Sequence, residues 1–238
     1  MKELARRSIT GFAETLASLG RTGVRGAAEV RTPGVVGARV PWATDNHWVD
    51  AVVADAGAEL VEPPHCVWST VVPEGRRELT EIAMPCMGLE LDDWQAPRAE
   101  RVETPSLRIV GELNDRAYGQ RDRLAPLIGA IADERVRTHG LRVDDEWACV
   151  VLTVRVGEDV SVQYVATDSR FRRRGLAAQV VGAALAEARD DGVRTATLQA
   201  SPDGFGVYER LGFRTVATLR ASTSRDSRAS ARGRARSG

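Results

Sequence analysis

Four arginines lie within residues 170–174 of the stretch TDSRFRRRGLAAQ, and Gly175 follows them directly. Small residues come next, so the free backbone N–H groups at the start of a following helix would be open to a ligand. Such a helix start attracts anions, because its N–H groups and its dipole both favour negative charge. Gly175 permits a positive φ, and Ala177 keeps the first turn small. The pattern Arg172-x-x-Gly175-x-Ala177 therefore predicts a phosphate or pyrophosphate loop.

A basic surface run is the alternative interpretation of this stretch. The chain has 33 lysines and arginines in total, and Lys2 is its only lysine, so a cluster of arginines is weak evidence by itself. The place of the loop between predicted strands and an Ala-rich amphipathic segment is what favours an anion site.

The neighbouring segments must position this loop. Residues 146–156 and 160–167 are apolar, and the short polar turn at Gly157 predicts a hairpin between them. A helix is predicted from about Leu176 to Asp190. A strand, a short helix and a last strand are expected after it, at 195–201, 204–212 and 213–219.

These residues carry a resemblance to a known family. Residues 164–201, followed by VYERLGFRTV, resemble the GNAT superfamily of acetyl-CoA-dependent N-acyltransferases. The superfamily's signature Q/R-x-x-G-x-G/A is matched by the loop pattern above, and its Tyr before a Gly-Phe pair is matched by Tyr208, Gly212 and Phe213. The resemblance spans residues 106–220 and implies an α+β fold with a mixed sheet.

The resemblance also implies the roles of individual residues. Acetyl-CoA is the expected cosubstrate, with backbone groups of Val165 and Thr167 pairing with its pantetheine arm, and no metal is expected. Tyr208 matches the position of the acid that protonates the leaving thiolate, and simple packing beside Phe205 or Phe213 is the alternative. The expected cofactor-binding residues are Val165, Ala166, Thr167, Arg172, Arg173, Arg174, Gly175, Leu176, Ala177 and Ala178.

The general base stays unassigned. Many members of the superfamily carry a carboxylate on the second strand of the hairpin, but Ser161 and Gln163 occupy those positions here. Glu158 and Asp159 lie only at the turn. A base acting through water, or an amine that is already neutral, is the open alternative.

The first half of the chain predicts a helix at 4–19 and β-like runs at 34–40, 47–54, 65–72 and 83–91. A faint internal repeat indicates that residues 1–95 are a degenerate GNAT-like unit without its own loop signature. Such tandem layouts resemble those of bacterial acetyltransferases. The predicted order continues with a linker at 96–105, a strand at 107–113, helical stretches at 117–136 within the GNAT domain of 106–220, and a disordered basic tail at 221–238.

Only one strand is predicted after the final helix, which would leave the second sheet with an open edge. We therefore expect the run at 82–91 to supply the missing strand to the sheet of the second half.

Bulk composition excludes several classes of function. The formal net charge is zero, which makes a nucleic-acid partner unlikely despite six arginines between Arg220 and Gly238. Three widely spaced cysteines give no disulfide framework or zinc motif, and the three histidines (His47, His65 and His139) are expected at isolated surface or loop positions. No apolar run approaches the roughly 18 residues of a membrane span, so a cytoplasmic protein without a membrane partner is expected.

Two classes of function are consistent with these patterns. The first is an N-acetyltransferase acting on a small-molecule amine, and the second is a non-catalytic CoA-binding sensor or interaction protein. The first half is expected to contribute to acceptor selectivity, with its tryptophans in the core or lining an acceptor pocket. A homodimer is left open.

Overall fold

A computed structural model describes residues 1–97, 101–120 and 123–225 of the 238-residue chain. Its helices are α1 (Lys2–Arg21), α2 (Leu107–Ala117), α3 (Ala125–Gly129), α4 (Leu176–Asp190) and α5 (Pro202–Arg210). Its strands are β1 (Ala28–Thr32), β2 (Val35–Arg39), β3 (Ala51–Ala54), β4 (Cys66–Ser69), β5 (Arg76–Glu78), β6 (Met84–Glu90), β7 (Val102–Glu103), β8 (Val136–Val143), β9 (Glu146–Val156), β10 (Asp159–Thr167), β11 (Thr195–Gln199) and β12 (Arg214–Ser224).

All of these strands belong to one mixed sheet. Eleven of them follow the order β1-β2-β3-β4-β12-β6-β11-β10-β9-β8-β7, and β5 pairs with β12 beside this path. Most neighbours are antiparallel, but β3 and β4 run parallel, as do β10 and β11. The α+β class with a mixed sheet is confirmed.

Helices cover both faces of the sheet. On one face, Val180 and Leu185 of α4 pack with Val160 and Val162 of β10. On the other face, Leu19 of α1 belongs to the same apolar cluster as residues of α2 and α3. Helix α1 crosses the middle of the sheet, where a Cβ at Gly11 would lie 2.6 Å from the Ser161 side chain. A glycine is required for this close approach.

The last strands of the two halves exchange places. Strand β6, from the first half, lies between β11 and β12 and pairs antiparallel with both. The far end of β12 in turn pairs with β4 of the first half, from Arg220 to Ser222. The expectation that residues 82–91 complete the second sheet is confirmed, and β6 covers the edge of β11 that would otherwise be open.

The strand predicted at 107–113 is wrong, because these residues begin α2. The Ser106 side chain accepts a hydrogen bond from the Ile109 amide and so caps the helix. The run is short, and its buried residues Val110, Leu113 and Asn114 follow a helical spacing. A short apolar run does not distinguish a buried helix from a strand without its cap.

Three other boundaries also differ from the sequence expectation. The predicted tail begins too early, since β12 continues to Ser224 and pairs with β5 there; residues 226–238 lie outside the described residues. The predicted linker at 96–105 contains β7, and residues 98–100 within it are not described. Strand β8 was not predicted, and its first residue, Val136, ends the stretch that was expected to be helical.

Candidate active site

The candidate site is a gap between two parallel strands. Strands β10 and β11 pair from Asp159 opposite Thr195 to Val162 opposite Leu198, and no further pair joins them among the described residues. The pairing of β10 with β9 shifts register between Gln163 and Ala166. Tyr164, at this bulge, has a positive φ of 49°. The bulge bends β10 away from β11 just where their pairing ends.

Backbone groups of β10 face into this gap. The Asp168 amide donates to the Ala148 carbonyl of β9, and successive residues of a strand direct their backbone groups to opposite sides. Val165 and Thr167 therefore point away from β9, while Ala166 points toward it. The Tyr118 hydroxyl donates to the Val165 carbonyl at 3.1 Å. Arg172 Nε donates to the Thr167 carbonyl at 3.3 Å.

A structured loop connects the end of β10 to α4. Asp168 accepts hydrogen bonds from the backbone and side chain of Arg170, and Arg116 also contacts its carboxylate at 3.0 Å. These arginines, Arg170 first, lower the pKa of Asp168 to about 2. Phe171 anchors the loop in the core, with the guanidinium groups of Arg170 and Arg174 over its ring. The loop is held by its own contacts.

Helix α4 begins without a capping side chain. Gly175 is its N-cap and has a left-handed conformation with φ of 76°, which is costly for residues with a Cβ. The first intrahelical bond is the Gln179 amide to the Gly175 carbonyl, so the amides of Leu176, Ala177 and Ala178 precede it without helical partners. An anion would find these amides oriented toward it.

The loop arginines differ in their contacts. Arg172 also donates to the Ala117 carbonyl at 2.9 Å, so its guanidinium joins the loop to the end of α2. Arg173 is exposed, has φ of 63°, and has no hydrogen bond or ion pair within the described ranges. Arg174 lies over Phe171 and likewise has no hydrogen bond or ion pair in the part of the chain that the structure describes. Arg173, Arg174 and the first-turn amides are thus left open to a phosphate, whereas Arg172 mainly shapes the loop.

Tyr208 lies on α5 and is 8% exposed. Its ring packs edge-on against Phe213, with centroids 6.0 Å apart. Burial, followed by the neighbouring Tyr118 and Cys149, raises the pKa of the Tyr208 hydroxyl above its usual range. Cys149 in turn contacts the Thr167 hydroxyl at 3.2 Å. Tyr208 and Cys149 belong to the same apolar cluster, and the raised pKa keeps the phenol neutral and protonated, as a proton donor must be.

The two turn carboxylates lie away from the gap. Asp159 is at the opposite end of β10, four residues before Gln163, or about 13 Å along a strand. It is buried, and the hydroxyls of Thr195 and Thr197 each donate to it at 2.6 Å. Glu158 is paired with Arg7 at 3.2 Å. Neither can act as a base where β10 and β11 diverge.

The expectation of isolated histidines is wrong. His47 and His65 stack, with Nδ1 and Nε2 3.0 Å apart, and burial lowers the pKa of both. His139 is buried beside Glu187. The sequence does not predict this pair, because His47 and His65 lie 18 residues apart and only the fold brings their loops together. Trp68 is fully buried, as a core role requires.

In the described ranges, no group of three or more histidines, cysteines and acids is arranged to hold a metal ion. Over the same ranges, none of the helices has both the length and the apolar character needed to cross a bilayer.

Comparison with known families agrees with this geometry. The family model described as an acetyltransferase (GNAT) domain matches residues 117–223, which include β10, the arginine loop, α4 and Tyr208. Residues 117–223 therefore belong to the GNAT acetyltransferases. A search of curated proteins found no match. The family assignment makes the chain an N-acetyltransferase by class, and the acceptor is not part of that assignment.

Solved structures extend the likeness to nearly the whole chain. A GNAT-family protein from Novosphingobium aromaticivorans is 21% identical, with a TM-score of 0.58 over 90% of this chain and 93% of the other. A GCN5-related N-acetyltransferase from Kribbella flavida is 16% identical, with a TM-score of 0.59 over 90% and 95%. At these identities the likeness concerns the fold, and it includes the first half of this GNAT protein.

Tyr118 is a site residue that the sequence did not reveal. It is 55% exposed, follows the end of α2 and reaches the Val165 carbonyl across the fold. The sequence contains no signal for this role, because it predicts a strand for the preceding segment and because the partner of Tyr118 lies 47 residues away. Only the packing of α2 against β10 brings the two together.

The burial of Asp159 predicts that the stability of the protein depends on pH. Burial raises the pKa of Asp159 to about 6, against an ordinary value near 4. The unfolded chain ionises first, so stability falls as pH rises from about 4 to about 6, by roughly 3 kcal/mol for a shift of about two units. Asp159→Asn should remove this fall, as measured by urea unfolding at several pH values. The exposed Asp93→Asn is the control, and parallel curves for Asp159→Asn and wild type would contradict the prediction.

Proposed function

We propose that the protein transfers an acetyl group from acetyl-CoA to a primary amine of a small molecule. The observation that carries this proposal is the gap between β10 and β11, with the uncapped start of α4 at its mouth. An extended ligand whose amide-bearing arm is joined to a pyrophosphate matches both parts: its amides suit the backbone of Val165 and Thr167, and its phosphates suit the first turn of α4.

The donor groups present fit acetyl-CoA. Val165, Thr167, Arg173 and the amides from Gly175 to Ala178 would hold it, and when bound it supplies an acetyl group activated as a thioester. The two carbonyl groups that face the gap accept hydrogen bonds from side chains. Tyr118 donates to the Val165 carbonyl, and Arg172 donates to the Thr167 carbonyl. Both contacts are made by side chains that can rotate away, so backbone pairing with a ligand can replace them.

The reaction needs one proton donor and one place for the amine. A C–N bond forms, the C–S bond breaks, and one proton leaves the amine while one reaches the departing thiolate. We assign Tyr208 as the donor, because its hydroxyl stays protonated and because it packs in the same apolar cluster as Cys149, whose thiol contacts Thr167 at the gap. The ring contact with Phe213 fixes the direction of the phenol.

The first half supports a small acceptor. Arg123 donates to both carboxylate oxygens of Asp45, at 2.8 and 3.2 Å, and the Asn46 side chain donates to Gln120. These contacts fix residues that follow Tyr118 against a loop of the first half. A gap bordered by both halves favours a compact acceptor over an extended polypeptide. It also supports a role of the first half in acceptor selectivity.

We further propose that residues 1–95 are a degenerate GNAT-like unit. Its strands β3 and β4 are parallel, as β10 and β11 are. Strand β4 then pairs antiparallel with β12 from the second half, just as β11 pairs antiparallel with β6 from the first half. Only residues 55–65 connect β3 to β4, in place of an arginine loop and a helix such as α4. This unit therefore supplies structure and acceptor contacts, and the second unit supplies the chemistry.

A non-catalytic CoA sensor is the second candidate, and the uncharged side chains at Ser161 and Gln163 favour it. Calorimetric titration with acetyl-CoA, followed by a thiol-release screen over amino sugars, polyamines, arylalkylamines and amino-acid amides, separates the two. Turnover of any amine supports the transferase. CoA binding without turnover supports the sensor, and the lack of any CoA binding contradicts both.

The loop makes a prediction about CoA affinity. Gly175→Val forces a residue with a β-branched side chain into a left-handed conformation at the helix start, so it should weaken CoA binding by roughly tenfold or more. Arg170→Ala should have a smaller effect, because Arg170 is already engaged with Asp168 and Glu146. Calorimetry on both variants tests the order, after thermal melts confirm folding. The reverse order would indicate an ordinary basic surface.

Tyr208→Phe tests the proton donor. The variant keeps the ring and its packing but loses the hydroxyl, so kcat should fall by roughly a hundredfold, which is typical for loss of a general acid. CoA affinity and thermal stability should change little. A variant with the kcat of the wild type would assign Tyr208 to packing alone.

A further inference from the structure

A chain of polar side chains spans the base of the gap. Gln163 Nε2 donates to Ser161 Oγ and to Gln199 Oε1, both at 2.9 Å. Gln199 Nε2 donates to the Ser8 carbonyl at 2.8 Å and to Ser8 Oγ at 2.9 Å. The Ser8 hydroxyl donates to the Leu198 carbonyl. The network therefore joins α1 to the strands β10 and β11 beside the point where these diverge.

The orientation of both glutamine amides in this network is fixed by one backbone group. The Ser8 carbonyl can only accept, so Gln199 must present its NH2 group to it. The Gln199 oxygen then faces Gln163 and can only accept as well. Gln163 must consequently present its own NH2 group to Gln199. A flipped Gln163 amide would set two carbonyl oxygens against each other.

This direction leaves the Gln163 side-chain oxygen available. Both hydrogens of its NH2 group are used, and Oε1 has no hydrogen bond to any part of the chain that the structure describes. Gln163 is half-buried and stands one residue beyond the last β10–β11 pair, directly before the bulge at Tyr164. A fixed hydrogen-bond acceptor thus lies where the strands begin to diverge.

The side chains that form this network are uncharged. Gln163, Gln199, Ser161 and Ser8 carry no charge, and burial raises the pKa of the neighbouring Cys86 thiol to about 11. Such a site can accept a hydrogen bond from an N–H group, but it cannot remove a proton. It offers no compensation for an ammonium charge taken out of water, which would be costly. The site therefore suits an amine that arrives unprotonated.

We infer that Gln163 Oε1 accepts a hydrogen bond from an N–H of the neutral acceptor amine and directs its lone pair toward the acetyl carbon. Gln199 and the Ser8 carbonyl act as positioning groups that fix this oxygen. The inference rests on the proposed function and names the form of the substrate: an unprotonated amine with at least one N–H. Its proton leaves to water after the C–N bond has formed.

Three variants test this role with the best amine from the thiol-release screen. Gln163→Met keeps the length but removes the acceptor, so kcat/KM for the amine should fall roughly five- to tenfold, the equivalent of one neutral hydrogen bond. Gln199→Met frees the Gln163 amide to rotate and should give a smaller loss. The exposed Gln95→Met is the matched control and should have no effect. CoA affinity by calorimetry should be the same in all of them.

The pH profile gives a second readout. In the wild type, kcat/KM should rise with pH as the ammonium group of the acceptor loses its proton, because the site provides no carboxylate base. Gln163→Glu adds one, so the rate below the amine pKa should increase relative to wild type. A wild-type profile that rises with an enzyme group well below the amine pKa would overturn the inference.

A third readout does not depend on activity. The side-chain NH2 protons of Gln163 should exchange slowly with water in NMR spectra of the wild type, and Gln199→Met should accelerate their exchange. Fast exchange in the wild type, or unchanged amine kinetics in Gln163→Met, would overturn the role of Gln163 while leaving the transferase intact. A wild type that turns over no amine would instead remove the proposed function and this inference together.

Discussion

Two parallel strands that separate leave backbone N–H and C=O groups without partners, and such groups are costly when they are buried. The divergence of β10 from β11 after Val162 and Leu198 imposes this constraint on the whole second half of the chain. The carbonyl groups of Val165 and Thr167 accept hydrogen bonds from the side chains of Tyr118 and Arg172 in place of a neighbouring strand. These contacts satisfy both carbonyl groups while β10 and β11 remain apart.

The rest of the fold keeps the gap open. Strand β6 pairs with the other edge of β11, so β11 remains in the sheet without the upper part of β10. Helix α1 packs beneath the last paired residues, with Gly11 against Ser161 and Ser8 bonded to Gln199. Both elements come from the first half of the chain. The sheet of the second half is therefore completed by residues that precede it in the chain.

Local patterns predicted the parts of the site that local physics decides. The hairpin of β9 and β10, the helix from Leu176 to Asp190 and the glycine at its start could be read from turn chemistry and periodicity. Contacts between distant segments could not be read in this way. Residues 107–113 form a helix where the sequence predicts a strand. Strand β12 extends to Ser224, beyond its predicted end, because its last polar residues pair with β5. The direction of the Gln163 amide depends on a carbonyl of α1 that lies 155 positions earlier in the chain.

Hydrogen exchange of the backbone amides, with and without acetyl-CoA, tests the central claim most directly. The account predicts that bound CoA slows exchange at Val165 and Thr167 and at residues 173–178, with little change at β3 and β4 of the first half. Protection confined to the first half, or none at the divergence of β10 and β11 under saturating acetyl-CoA, would contradict it.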